Sequence, residues 1–218
     1  MNKLHYILVI AIASLSCKAQ ILPLDTPSYT IPDNANIKDT NNELGRLVGT
    51  WKYTSGTTTF TLKLMLTEDE YNGEYYEDYL RGEYAYSENG IIIIDTLEDL
   101  PDDDDDDDDD DDTTDGGLSS NTQITETSYN NIGGRYVSDV YGISCFDCTI
   151  EDRYIGFYFI DPERKYLNNR MIIDYLEDET DPEKISLILK AKDGARLPYE
   201  GAPIEPRVPY GTYLMEKQ

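Results

Sequence analysis

Histidine is almost missing from this chain. The one example in 218 residues is His5, inside an apolar leader that an export reading removes. Its scarcity excludes Ser-His-Asp and Cys-His catalysis, histidine general bases and histidine-bearing zinc sites. Carboxylate or thiol chemistry remains, or none. Cysteine is scarce too, with three residues in all, so a tetrahedral thiolate site lacks ligands. Basic residues number 18 against 44 acidic ones, giving a formal net charge of −26. Such a field repels nucleic acid and anionic membrane surfaces, and neither is expected as a partner. Long hydrophobic runs are also missing. The apolar stretch Tyr6–Leu15 (YILVIAIASL) falls well short of the ~20 residues that a membrane-crossing helix requires.

That stretch does suit the core of a signal peptide, following the basic start Met1-Asn2-Lys3. The segment SLSCKAQ then offers two exits. Cleavage after Ala19 leaves Gln20 first, with small residues at Cys17 and Ala19. Acylation of Cys17 instead makes a lipoprotein. Residues 1–19 are therefore read as an export signal, and the destination as periplasm, outer-membrane surface or medium. Any membrane attachment is expected through lipid at Cys17 alone. The remaining ~199 residues suit one domain, able to bury about 70% of its unfolded surface.

Residues 20–45, rich in Pro, Asn, Asp and Thr and without period, read as an extended leader lying against the domain. From residue 46 the pattern changes. TFTLKLML places Phe60, Leu62, Leu64 and Leu66 on one face and Thr61, Lys63, Met65 and Thr67 on the other, the period of a half-buried strand. Tyr76, Leu80, Tyr84 and Tyr86 keep an even register in the next segment. Asn89-Gly90 supplies the positive φ angles of a tight hairpin, with Ile91–Ile94 as the return strand. GGRYVSDVYG, RYIGFYFID, NRMIIDYLED, KISLILKAK and GTYLMEK read as further strands. The expectation is an all-β domain over 46–218, an antiparallel up-and-down barrel of about 8–9 strands, whose closure removes exposed edges. Nineteen tyrosines against four phenylalanines suit strands whose rings pack while hydroxyls reach water. A sugar- or surface-binding tyrosine face is the sharper alternative.

Between Asp102 and Asp112 stand eleven consecutive aspartates. Unit charges about 7 Å apart in water repel by ~0.6 kcal/mol per pair, and burial adds desolvation. Residues 98–130 are therefore expected to be a disordered, hydrated insertion. Calcium is the functional rival. The best EF-hand-like register, Asp111, Thr113, Asp115, Gly116, places Thr122 where a bidentate glutamate is required, so no structured metal site is expected.

Cys145 and Cys148 form a C-x-x-C pair. In an oxidising compartment they are expected to make a small structural disulfide, with free buried thiols or redox or metal work as alternatives. Two carboxylates could in principle hydrolyse a glycoside, but 44 acids single out no pair. No catalytic residue and no cofactor is assigned, and the domain is expected to be non-enzymatic and monomeric.

Gly49-Thr50-Trp51 resembles the G-x-W motif that opens the first strand of lipocalin-like (calycin) β-barrels. The longer stretch IPDNANIKDTNNELGRLVGTWKY, with the CKAQ ending, resembles small secreted or lipid-anchored Gram-negative proteins of unknown function. The resemblance implies that Trp51 closes one barrel end, often beneath a basic side chain from a late strand, and that Gly49 and Trp51 are fold residues. Two functions are then expected to compete. In the first, Phe60, Leu62 and Leu64 line an interior that takes a small apolar ligand, or the barrel meets an envelope protein. In the second the core is solid and the surface does the work. An eight-stranded barrel lies at the size where either holds.

Overall fold

The computed structural model describes residues 20–100, 131–138, 154–192, 194 and 199–218. Eleven strands are described: β1 (Ile21–Pro23), β2 (Asn36–Lys38), β3 (Gly49–Ser55), β4 (Thr58–Tyr71), β5 (Tyr76–Glu88), β6 (Ile91–Asp95), β7 (Ile132–Ser138), β8 (Tyr154–Phe159), β9 (Asn169–Thr180), β10 (Glu183–Ala191) and β11 (Gly211–Lys217). Every strand read from the two-residue period is present. The helical elements among the described residues are three single 3-10 turns.

From β3 onward, each strand except β6 pairs antiparallel with the next in sequence, and β11 returns to β3 through Lys217–Trp51 and Glu216–Lys52. The result is an up-and-down barrel of eight staves. One stave is shared. β6 pairs with β5 at Ala85–Glu88 and β7 pairs with the same edge at Leu80–Gly82. They run in the same direction along one track, so the chain between Asp95 and Ile132 is an insertion within a single stave. At the join, the Thr96 hydroxyl accepts from the Tyr84 amide at 3.2 Å and donates to its carbonyl at 3.0 Å, prolonging the ladder for one more residue.

Local chemistry fixes the hairpins. Asn89 and Gly90 have φ of 53° and 75°, the left-handed pair that matches strand twist in a two-residue turn. Near the far end of β4, Asp69 at φ 55° takes up a register shift between Thr67 and Glu70. Beyond this bulge β4 and β5 run past the barrel as a flange.

Residues 20–45 are more deeply integrated than an extended leader. β1 pairs parallel with β2, and β2 pairs parallel with β5 at Tyr76–Glu77, so both enlarge the flange. Leu24, Ile37 and Leu44 join the main apolar cluster. The turn into the barrel is organised by Asp39, whose carboxylate accepts the amides of Glu43, Leu44 and Gly45 at 2.7, 2.8 and 2.9 Å. The bent backbone thereby gets partners for donors that no strand ladder supplies.

Candidate functional site: the barrel interior and its two lids

The inward row of β4 carries the interior. Phe60, Leu62 and Leu64 are buried, as the alternation requires, and face a single contiguous cluster that all eight staves supply. Phe60 sits among three tyrosines, edge-to-face, with ring centres 6.0 Å from Tyr84, 6.2 Å from Tyr86 and 5.2 Å from Tyr213. Tyr84 in turn packs on Phe159 at 4.5 Å. Such aromatic pairs contribute about 0.5–1.5 kcal/mol each beyond area burial. The Tyr84 hydroxyl donates to the Ile160 carbonyl at 3.0 Å, and burial, then the nearby Asp161 charge, raise its pKa. Burial likewise pushes Tyr213 up to about 12. Both rings are therefore neutral at physiological pH.

The described residues of the interior are closely packed. Phe60, Leu62, Leu80, Tyr84, Met171, Ile185 and Leu187 each have 0% of their surface exposed. Residues lining a space wide enough even for water retain accessible surface; these do not. Gly82 shows the same tightness, because a Cβ there meets Leu64 Cδ2 at 2.6 Å and the Lys63 carbonyl at 2.8 Å.

One end is closed by Trp51. The indole is fully buried and donates to the Leu47 carbonyl at 2.7 Å, tying it to the 3-10 turn Gly45–Leu47. The Lys217 ammonium lies 5.3 Å above its ring and 2.7 Å from Glu183 Oε2. That hydrogen bond holds the Glu183 carboxyl below its ordinary range. Tyr175 meets Trp51 edge-on at 6.4 Å, and Arg46 covers Tyr175 at 5.1 Å. Gly49 makes room for this stack. Its φ is +124°, and a Cβ there comes within 3.2 Å of Lys217 Cε. Thus Gly49 and Trp51 work as one unit with the last strand.

The other end is closed by the segment before β11. Asp161, two residues after β8, has a fully buried side chain. It accepts the Arg207 amide at 2.8 Å, Arg207 Nε at 3.0 Å and Nη2 at 2.8 Å, and the Glu163 amide at 3.1 Å. Arg207 Nη1 also reaches the Ile93 carbonyl at 3.2 Å, so the latch joins β6, the β8–β9 connection and the lid. Val208 is buried beneath it, and the Tyr210 hydroxyl donates to Asn169 Oδ1 at 2.7 Å. Burial alone raises the Asp161 pKa, but the bonds from Arg207 outweigh it and the net shift is downward.

A family profile described as a family of unknown function, DUF6705, matches residues 1–218. The chain belongs to DUF6705. No curated protein matches it. No solved structure does either.

In this DUF6705 chain the sequence-derived residues fall into three groups. Phe60, Leu62 and Leu64 converge in the interior, and Gly49 and Trp51 converge at its lower lid. Cys17, Cys145 and Cys148 lie outside the described residues, as do Asp102–Asp112. Two sets were missed. Lys217 continues the inward parity of Tyr213 and Met215, a signal that could have found it. Asp161 and Arg207 are 46 positions apart and carry no local signal.

Proposed function

We propose that this chain is an exported, non-enzymatic, lipocalin-like barrel that acts through its outer surface, as a structural or interaction module, and not as a calyx. The observation that carries this reading is the absence of exposed surface on the inward row, with Phe60 and Leu62 at 0% and Leu64 at 1%. An eight-stranded barrel is just wide enough for side chains to fill, and large aromatic residues occupy that width. Both ends have lids fastened by buried polar bonds, which a gated pocket would have to break. Kinship with lipocalin-like barrels is supported by the Gly49–Trp51–Lys217 stack. A non-enzymatic role is supported by the scarcity of histidine and by Asp161 being engaged in structural bonds.

Native mass spectrometry of chain purified without delipidation, over several preparations, tests the reading. The expected result is the bare polypeptide mass, with no mass shift on titration with C8 to C16 fatty acids. A stoichiometric apolar adduct that perturbs Leu62 or Leu64 would overturn it.

A further inference from the structure

The flange below the Trp51 lid presents a row of side chains that the core does not need. Across β1, β2, β5 and β4 the register aligns Ile21, Asn36, Tyr76 and Tyr71 on one face. Ile21 is 65% exposed, Tyr71 51% and Tyr76 40%. The two tyrosine rings lie 4.9 Å apart with a 44° tilt, and the Tyr71 hydroxyl is held by the Gly73 carbonyl at 2.8 Å. The rings are thus fixed by their own contacts while each residue stays about half exposed to water.

Polar groups flank this platform. Asn36 Nδ2 donates to Asp69 Oδ1 at 2.6 Å, and the Lys38 ammonium lies 3.0 Å from the same oxygen. These bonds, Asn36 first, hold the Asp69 carboxyl below its ordinary pKa, so it is an acceptor down to acid pH. Asn36 Oδ1 is buried and without a hydrogen-bond partner among the described residues, so the carboxamide serves here to place the Asp69 carboxylate. The result is a ledge with stacked rings, a carboxylate and an ammonium side by side.

We infer that this ledge binds a neutral saccharide. A pyranose offers C–H faces that stack on tyrosine and hydroxyl edges that bond to Asp69 and Lys38, and the ledge offers both kinds of contact in one row. The three exposed side chains present on the order of 300 Å², taking ~200 Å² for a whole tyrosine. A stable protein dimer needs about 800 Å² per partner, so the area fits a sugar and falls short for a second copy. A net charge of −26 repels anionic glycans and anionic lipid surfaces, which favours uncharged sugars over anionic ones. This inference rests on the surface-acting reading above and names what that surface takes.

Chemical-shift mapping with cellohexaose, maltohexaose, mannohexaose and xylohexaose, each to 10 mM, tests it. The expected result is saturable shifts at Tyr71, Tyr76 and Asn36 with at least one of the four, and none with oligogalacturonate. Tyr76→Ala is expected to weaken binding at least tenfold at unchanged Tm, while Tyr76→Phe retains it. No saturable shift with any neutral hexasaccharide overturns the inference. So does self-association, or binding to phosphatidylcholine vesicles, that Tyr76→Ala abolishes. Shifts confined to Leu62 and Leu64 would instead refute the surface-acting reading itself.

Discussion

Replacing Asp161 with asparagine removes one charge from the upper lid while keeping its shape. The carboxylate accepts three contacts from the Arg207 guanidinium at 2.8, 3.0 and 3.3 Å and two backbone amides. Hydrogen bonds to charged groups contribute about 1.5–3 kcal/mol each, and they are not additive. Arg207 keeps Glu163 at 2.7 Å as a second acid, so part of the loss is offset. The expected cost at pH 7 is about 2–4 kcal/mol, or roughly 4–16 °C in Tm at 2–4 °C per kcal/mol for a chain of this size. The pH dependence has a defined sign. A carboxyl whose folded pKa is depressed adds stability that is complete above the unfolded value of about 3.9 and is lost as pH falls through the folded value. The gap between wild type and Asp161→Asn is therefore full at pH 6 and narrows below about pH 4. Urea unfolding followed by the fluorescence of Trp51, the single tryptophan, at the opposite end, reads this as a global transition. A gap under ~0.5 kcal/mol at pH 7, or one of constant size down to pH 3, refutes the latch. Glu163→Gln, at an exposed carboxylate, serves as the control and is expected to cost less than about 0.5 kcal/mol.

Lys217→Ala should remove the cation above Trp51, a contact of about 0.5–1 kcal/mol where partly exposed, and shift the Trp51 emission spectrum; an unchanged spectrum and Tm would contradict the lower lid. Replacing residues 101–130 with a linker of about ten Gly and Ser residues should leave far-UV circular dichroism intact and alter Tm by less than about 3 °C, since β6 and β7 share one stave. Their paired positions on β5, Gly82 and Ala85, lie three residues apart, roughly 10 Å. Loss of the folded spectrum would show that the insertion is needed to close the barrel.

Much of this architecture is legible in the sequence because burial on one sheet face imposes a two-residue period, and β10, β11 and the Phe60–Leu64 part of β4 obey it strictly. The β5–β6 hairpin is legible because only residues tolerant of positive φ fit a two-residue turn, and Asn89-Gly90 is such a pair. What the pattern does not carry is long-range pairing. β1 and β2 are three residues each, too short to show a period, so their place beside β5 is decided by Ile37 finding the core and Asp39 organising the turn. The union of β6 and β7 in one stave depends on which edge of β5 each occupies. The Asp161–Arg207 latch joins residues that read locally as a turn and a loop. Tyr76 shares the inward parity of Tyr84 but stands beyond the barrel's end, which is why an identical pattern yields a core ring in one place and an exposed ring in the other.

The central claim is a solid interior, and xenon tests it most directly because the gas enters any dry apolar space that can hold it. Methyl spectra of chain labelled at leucine and methionine, recorded under rising xenon pressure, should show only small linear drifts for Leu62, Leu64 and Met171. Saturable shifts at those methyls would mean that the barrel is hollow.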